Sequence, residues 1–369
     1  MAKFSDIHLL HSLARTLADK GLTTPTEIQT AALPLLLTGR SVVGVAQTGS
    51  GKTLAYALPV LHQLKGLEND GQPVRSDGHP RALVMVPSRE LGEQVSKVFK
   101  LFTHDTRLRV RTVLGGVGMD VARRNIQGCF EVLVATPGRL LQLLDRKLLN
   151  LSDVRVLVFD EADQMLDPTF IDDAKRIVAG CQPEVQLALF SATVSPKVQT
   201  LISELFTAAE VIRCKNANHL APTLSTKRLF IKDGVRFPFL QKELERPVSG
   251  GTLIFVNTRD QCDEVARLVR EAGQECVVYR GEMDKIERRK NLRAFREGKV
   301  PLLVSTDLAS RGLDVDHVSR VINYHLPKSK ENYVHRVGRT ARAGRAGLVV
   351  NLVTQRDLPL MNQVDGGRS

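Results

Sequence analysis

Residues 41–53 limit what this chain can fold into more than any other stretch. An apolar run, Ser41-Val42-Val43-Gly44-Val45, leads into Ala46-Gln47-Thr48-Gly49-Ser50-Gly51-Lys52-Thr53, and Leu54, Leu58 and Leu61 follow on one helical face. Strand, glycine-rich turn and helix, in that order, is the setting of a phosphate-binding loop. Glycines let the backbone pass close to phosphate oxygens, and the amides opening the new helix point at the anion with its dipole behind them. Thr48, Gly49, Ser50 and Gly51 would form the cradle, Lys52 would sit on the β- and γ-phosphates, and the Thr53 hydroxyl would ligate Mg²⁺. The usual pattern opens with Gly where this chain has Ala46. A small residue fits there, because the closest phosphate approach falls on Gly49 and Gly51.

Length and charge widen the expectation. A chain of 369 residues has room for about two domains, and 43% hydrophobic with 25% charged residues is an ordinary globular balance. The formal net charge of +12 favours a polyanionic partner. Most of the excess lies in residues 215–369, with 28 Lys+Arg to 18 Asp+Glu, against 24 to 22 in residues 1–214. Five scattered cysteines (Cys129, Cys181, Cys214, Cys262, Cys276) form no Cys-x-x-Cys pair. That argues against a disulfide framework or a zinc site and for a reducing compartment. With no basic-then-apolar leader and no apolar run long enough to cross a bilayer, a soluble cytoplasmic protein without membrane contact is expected.

Taken in order, Ser5 or Asp6 is expected to cap a first helix carrying Leu10, Leu13 and Leu17, stopped by Gly21. Pro25-Thr26 starts a second helix and places Gln29 one turn in. A terminal amide can donate and accept at once, which suits the edge of adenine, and Phe4 upstream offers a ring to stack on the base. Gln29 as an ordinary helix residue and Phe4 as an ordinary core ring remain open. Residues 66–80 are rich in turn formers and read as an exposed loop. Strand-like runs follow at 82–86, 110–114, 132–135, 154–159 and 186–190, separated by helical stretches, which argues for a mostly parallel sheet covered on both faces. Polar clusters sit where those strands end: residues 87–91, 115–116, 136–139, 160–163 and 191–193. Ligands gather at that edge of such sheets.

Residues 215–226 break the alternation and read as a linker between an N-terminal domain, 1–214, and a C-terminal domain, 227–369. The second unit has strand-like runs at 227–231, 252–256, 275–279, 301–305, 318–323 and 347–353 and no phosphate loop of its own. Thr258 and Gln261 form a capping box before Cys262, Val265, Ala266 and Val269, which share a face. The final Gly366-Gly367-Arg368-Ser369 reads as a frayed tail.

Two further clusters carry chemistry. The run Val156-Leu157-Val158-Phe159 delivers Asp160 and Glu161 to a strand end. Asp160 would hold Mg²⁺, through water, and Glu161 would orient or deprotonate an attacking water. Arg336, Arg339 and Arg342 are spaced by three, so a helical turn would present them on nearly one face. They read as arginine fingers reaching the γ-phosphate from the second domain, an effect worth ~10³–10⁵ in rate.

With these motifs in place the sequence resembles the DEAD-box ATP-dependent RNA helicases, whose tetrad is Asp160-Glu161-Ala162-Asp163 here. The resemblance covers nearly the whole chain and implies two RecA-like α/β domains, doubly wound parallel sheets on a flexible linker, with ATP and Mg²⁺ as ligands. It normalises Ala46 and makes Gly21 to Gln29 with Phe4 an adenine-sensing segment. It implies RNA contacts from Arg89, Gly115, Gly116, Thr136 and Arg139 in the first domain and from Arg259, Gly281 and Thr306 in the second. Such contacts would go to phosphates and 2′-hydroxyls, largely independent of sequence. Asp314 would hold the ATP ribose, Asp163 and His335 would join the domains, and Ser191-Ala192-Thr193 would link hydrolysis to strand separation. Arg339 and Arg342 would be the fingers.

Four positions depart from the family pattern: Ser88 for Thr, Gly92 for Ala, Arg280 for His and Lys285 for Gln. The last two would add positive charge beside the RNA path. The expected activity is RNA-stimulated ATP hydrolysis coupled to domain closure and local, non-processive unwinding by a monomer, with partner proteins supplying specificity. An ATP-gated RNA clamp or remodelling scaffold and a related DNA helicase are the alternatives.

Overall fold

The computed structural model describes residues 3–47, 49–165, 170–214, 223–307, 315, 317–341 and 345–365, apart from the side chain of Lys285. The chain divides into two compact units, Met1–Ala217 and Asn218–Ser369. Each is an α/β layer structure around its own parallel sheet.

In the first unit the strands are β1 (Val42–Val45), β2 (Ala82–Met85), β3 (Val110–Val113), β4 (Val132–Ala135), β5 (Val156–Asp160), β6 (Gln186–Ser191) and β7 (Glu210–Arg213). They assemble in the order β3-β4-β2-β5-β6-β1-β7. The described pairings are all parallel, for example Val42 opposite Ala188 and Ala82 opposite Val156. β1, β2, β4, β5 and β6 are buried along their whole length, which is why they read as continuous Val/Leu/Phe runs. Alternate residues still divide between two faces. Val42, Val84, Val134 and Val158 pack with Leu33, Tyr56 and Phe99 on one side; Val43, Leu83, Leu133 and Leu157 pack with Leu140, Ile177 and Leu201 on the other.

The second unit contains β8 (Leu224–Phe230), β9 (Gly251–Val256), β10 (Cys276–Tyr279), β11 (Leu302–Thr306), β12 (Val318–Asn323) and β13 (Gly347–Val353), in the order β10-β11-β9-β12-β13-β8. Its core also lies on both faces, with Ile254, Val304 and Ile322 on one and Leu253, Leu303 and Val321 on the other. The Thr258 capping box forms as expected: Gln261 N donates to Thr258 Oγ1 at 3.3 Å and Thr258 N to Gln261 Oε1 at 3.1 Å. Cys262, Val265, Ala266 and Val269 are buried beneath that helix.

Several expectations need correction. Neither Ser5 nor Asp6 caps the first helix: the Asp6 carboxylate accepts from Lys3 N at 2.9 Å and closes a 3₁₀ turn, Phe4–Asp6, and the helix begins only at His11. The helix after the phosphate loop runs to Asn69, into the expected 66–80 loop, and Val74 within that loop is buried. β7 was not anticipated, because Glu-Val-Ile-Arg on an exposed edge carries only two apolar residues. β8 starts inside the expected linker, at Leu224, since its partner β13 offers backbone groups from Gly347 onward. Residues 215–222, the rest of the linker, and 366–369, the tail, lie outside the described residues. No helix among the described residues is long and apolar enough to cross a membrane.

Candidate functional site

β1 runs into the loop and then the helix Lys52–Asn69. Gly51 caps this helix at φ 90°, where a side chain would be strained and a Cβ would overlap the Gln29 amide. Gln29, itself buried, accepts from Thr26 N through Oε1 at 2.9 Å and donates from Nε2 to Gly51 O at 2.9 Å. It thereby closes a capping box on its own helix and fastens that helix to the loop, leaving one amide hydrogen and one lone pair for a ligand. Phe4 belongs to the core, and its N–H donates to Thr23 O at 3.0 Å in the segment leading to Gln29. Lys52 folds its ammonium onto the loop, donating to Ala46 O at 2.9 Å and Gln47 O at 3.3 Å.

Two strands over, β5 ends on Asp160, which is only 2% exposed. Tyr56 donates its hydroxyl to Asp160 Oδ2 at 2.7 Å, while Oδ1 is buried with no hydrogen-bond partner among the described residues. Burial pushes the Asp160 carboxyl up to about 6, against the pull of the Lys52 ammonium and with a further push from Glu161. Tyr56 is raised well above its ordinary value, first by burial and then by Asp160, and its hydroxyl also meets the Thr53 side chain. The oxygens of Thr53 and Asp160 therefore converge through one phenol. Glu161 adopts a left-handed backbone (φ 51°, ψ 50°), sparse ground for a non-glycine residue and the kind of outlier found where function dictates side-chain direction. Gln164 donates its amide to the Glu161 carboxylate. Beyond β6, Ser191 donates to Thr193 O at 2.7 Å, and Asp163 Oδ2 accepts from Thr193 N at 3.0 Å and Oγ1 at 2.7 Å. Asp163, Ser191 and Thr193 thus form one hydrogen-bonded group inside the first unit.

The other half of the same strand edge is cationic and glycine-rich. β3, β4 and β2 are neighbours, so the residues that follow them are brought together although they span residues 89–139. Thr136 Oγ1 accepts from Gly115 N at 3.0 Å. Gly116 sits at φ 81°, and a Cβ there would lie 3.8 Å from an Arg89 guanidinium nitrogen. Arg89 pairs with Glu93 at 2.8 Å. Arg139 donates to Val117 O, and its Nε is buried without a partner among the described residues.

The second unit repeats the plan. Arg259, Gly281 and Thr306 follow or end β9, β10 and β11, which are adjacent, and with Asn257, Thr258, Asp260 and Asp307 they line a cavity of ≈490 Å³. Arg259 pairs with Glu282. Arg280, one of the departures from the family pattern, pairs with Asp263 at 2.8 Å.

The arginine row is corrected as well. The helix Lys330–Val337 ends before Arg339, so one helical turn does not carry all three side chains. Arg336, 1% exposed, turns into the unit. It grips both oxygens of Asp307 and donates to Asn323 Oδ1 at 3.2 Å and Asn257 Oδ1 at 2.8 Å, with its guanidinium 5.0 Å from the Phe255 ring centre. It is a structural node, not a finger. Arg339 donates from Nε to His335 O at 3.2 Å.

Comparison with known proteins agrees with this geometry. Residues 26–201 match the DEAD/DEAH box helicase family and residues 236–344 the helicase conserved C-terminal domain. RNA helicase CrhR of Synechocystis sp. is 36% identical over 98% of this chain and 72% of its own length. The chain belongs to the DEAD-box helicase family. ATP-dependent RNA helicase DeaD of Mycobacterium tuberculosis is also 36% identical over 99% of the chain, which spans 63% of that relative's length. Among solved structures, S. cerevisiae Dbp5 bound to RNA and ADP BeF3 superposes with a TM-score of 0.86 at 28% identity, covering 100% of this chain and 93% of the other. The expected pair of RecA-like parallel-sheet layers is the architecture observed.

Three of the DEAD-box site residues expected from sequence, Thr48, Asp314 and Arg342, lie outside the described residues, as does the Lys285 side chain. Sequence reading missed Tyr56 and Gln164, the two partners of the acid pair. Tyr56 had a signal: it stands one turn beyond Lys52 and Thr53 on the same helix, hence on their side. The acid pair also carries a stability cost. Folded Asp160 keeps its proton to about pH 6 and the unfolded carboxyl loses it near 3.8, so native stability falls as pH rises between those values. Asp160→Asn is expected to raise the chain's stability by about 2–3 kcal/mol at pH 8, with the gain vanishing below about pH 3, where the carboxyl is neutral in both the folded and the unfolded chain. Thermal melts across pH check it; a gain independent of pH would contradict the assignment.

Proposed function

We propose that this chain hydrolyses ATP when RNA is bound and uses the cycle to open short RNA duplexes without long translocation. One observation carries the reading: in the first unit the phosphate loop, the acid pair and the Ser191–Thr193 turn follow β1, β5 and β6, while the cationic, glycine-rich cluster follows β3, β4 and β2. One sheet edge thus offers a nucleotide-binding half and a polyanion-binding half. The relatives' names and the RNA-bound Dbp5 structure support the choice of RNA.

In this reading Thr48, Gly49, Ser50 and Gly51 cradle the phosphates, Lys52 neutralises them, and Phe4 and Gln29 meet the adenine, with Asp314 at the ribose. Glu161 orients and deprotonates the attacking water. Thr53 and Asp160 would hold Mg²⁺, which when bound offsets phosphate charge; an all-oxygen donor pair and the orphaned Asp160 Oδ1 fit that hard cation. Arg339 and Arg342 would place positive charge on the transferred phosphoryl group. Arg89, Gly115, Gly116, Thr136 and Arg139, with Arg259, Gly281 and Thr306, would contact RNA backbone, and Asp163, Ser191, Thr193 and His335 would couple RNA to hydrolysis. Residues 1–214 and 224–369 would act as the two domains, joined by 215–223.

The test is steady-state ATP hydrolysis by the full chain with no nucleic acid, with RNA and with DNA of the same sequence. Stimulation by RNA alone is expected. Equal stimulation by DNA, or none by either, would overturn the reading.

A further inference from the structure

The helix Lys285–Arg296 begins four residues after Gly281, a lining residue of the second unit's cavity, and it carries six Lys or Arg against one Glu. Leu292 and Phe295 are buried, and Asn291 donates to Val278 O at 3.0 Å, so the inner face is anchored to the sheet. Arg288 lies over the Tyr279 ring, 4.7 Å from its centre. The opposite face holds Ile286, Arg289, Lys290 and Arg293, all exposed and within about 100° of one another around the axis. Arg293 is tied to Glu297 at 2.6 Å, and Glu297 also meets Lys299 at 2.7 Å. Arg289 and Lys290 have no acidic partner among the described residues. Ile286, 79% exposed, precedes them at the end nearest Gly281.

A helix packed so well beneath has no structural need for two uncompensated cations on its outer face. Each costs solubility nothing, yet together they raise the local potential beside a cavity lined by Arg259 and Thr306. We propose that this outer stripe is a second RNA-backbone surface, taking phosphates of RNA that extends past the cavity. The inference rests on the reading above and adds to it a place where longer RNA is held. Charge complementarity decides the occupant: phosphates satisfy bare guanidinium and ammonium groups without sequence readout.

The experiment compares the unaltered full chain with Arg289→Gln/Lys290→Gln, using one RNA short enough to occupy only the cavity and one several times longer. Binding is measured over a salt series with a non-hydrolysable ATP analogue present. Both side chains are exposed and make no hydrogen bond or ion pair among the described residues, so thermal melts of the two proteins should coincide. For the long RNA, affinity is expected to fall roughly threefold to tenfold and the slope of log K against log salt to shrink by about 1 to 1.5; the short RNA should bind unchanged. An unchanged slope on the long RNA overturns the inference. Equal losses on both RNAs also overturn it, since that is a general field effect. If the unaltered chain binds neither RNA, the RNA reading itself fails and this inference goes with it.

Discussion

Glu161→Gln should cut RNA-stimulated ATP hydrolysis by ~10²–10⁴-fold while nucleotide binding stays nearly as it was, because only the proton-accepting capacity is removed. Glutamine keeps the shape and still offers an oxygen to the Gln164 amide that now meets Glu161. The left-handed backbone at this position is likewise no worse for Gln than for Glu. Lys52→Ala should differ in kind. Its ammonium is the charge that acts most strongly on Asp160 and, in the proposed reading, the group that neutralises phosphate, so binding and turnover should fall together. Single-turnover hydrolysis alongside fluorescent-nucleotide titration separates the two patterns. A Glu161→Gln chain with near-normal turnover would remove this residue from the chemistry.

Arg336→Ala should destabilise the second unit by ~3–5 kcal/mol, because it strands the buried end of an ionic node. Asp307 would lose both bonds to the guanidinium, and the Asn257 and Asn323 side-chain oxygens would lose their donor. Arg336→Lys should recover little, since an ammonium cannot reach both carboxylate oxygens and both asparagines at once. The expected fall in melting temperature is on the order of 10 °C for a unit of this size. Because Asp307 and Asn257 line the second unit's cavity, RNA affinity should weaken along with stability. A variant that melts normally but hydrolyses ATP slowly would instead restore Arg336 to the finger role that its spacing suggested.

That case shows where sequence reading stops. A spacing of three says which side chains could share a helical face, but not where the helix ends; it ends at Val337. Nor does spacing say which arginine meets a buried carboxylate, and that pairing, between residues 29 positions apart, turned Arg336 inward. Tyr56 escaped notice for a related reason: its partner Asp160 is 104 positions away, and a tyrosine on an apolar helix face reads as core. β7 escaped because an edge strand buries too little to impose a pattern.

What the sequence determined by itself is local and periodic. Buried parallel strands must be apolar on both faces, and a backbone wrapped around phosphate demands glycines at fixed offsets, so both the α/β class and the loop at residues 46–53 were legible. Lateral order in the sheets was not. The runs at 82–86, 110–114 and 132–135 appear in that order along the chain, yet β4 lies between β3 and β2. Crossover connections leave strand order free, and it is set by which hydrophobic faces pack together over the whole unit. That packing placed Arg89, Gly116 and Thr136 side by side at one end of the sheet edge and Lys52 with Asp160 at the other. The motifs were written in the sequence; their separation into two halves of one edge was decided only by the fold.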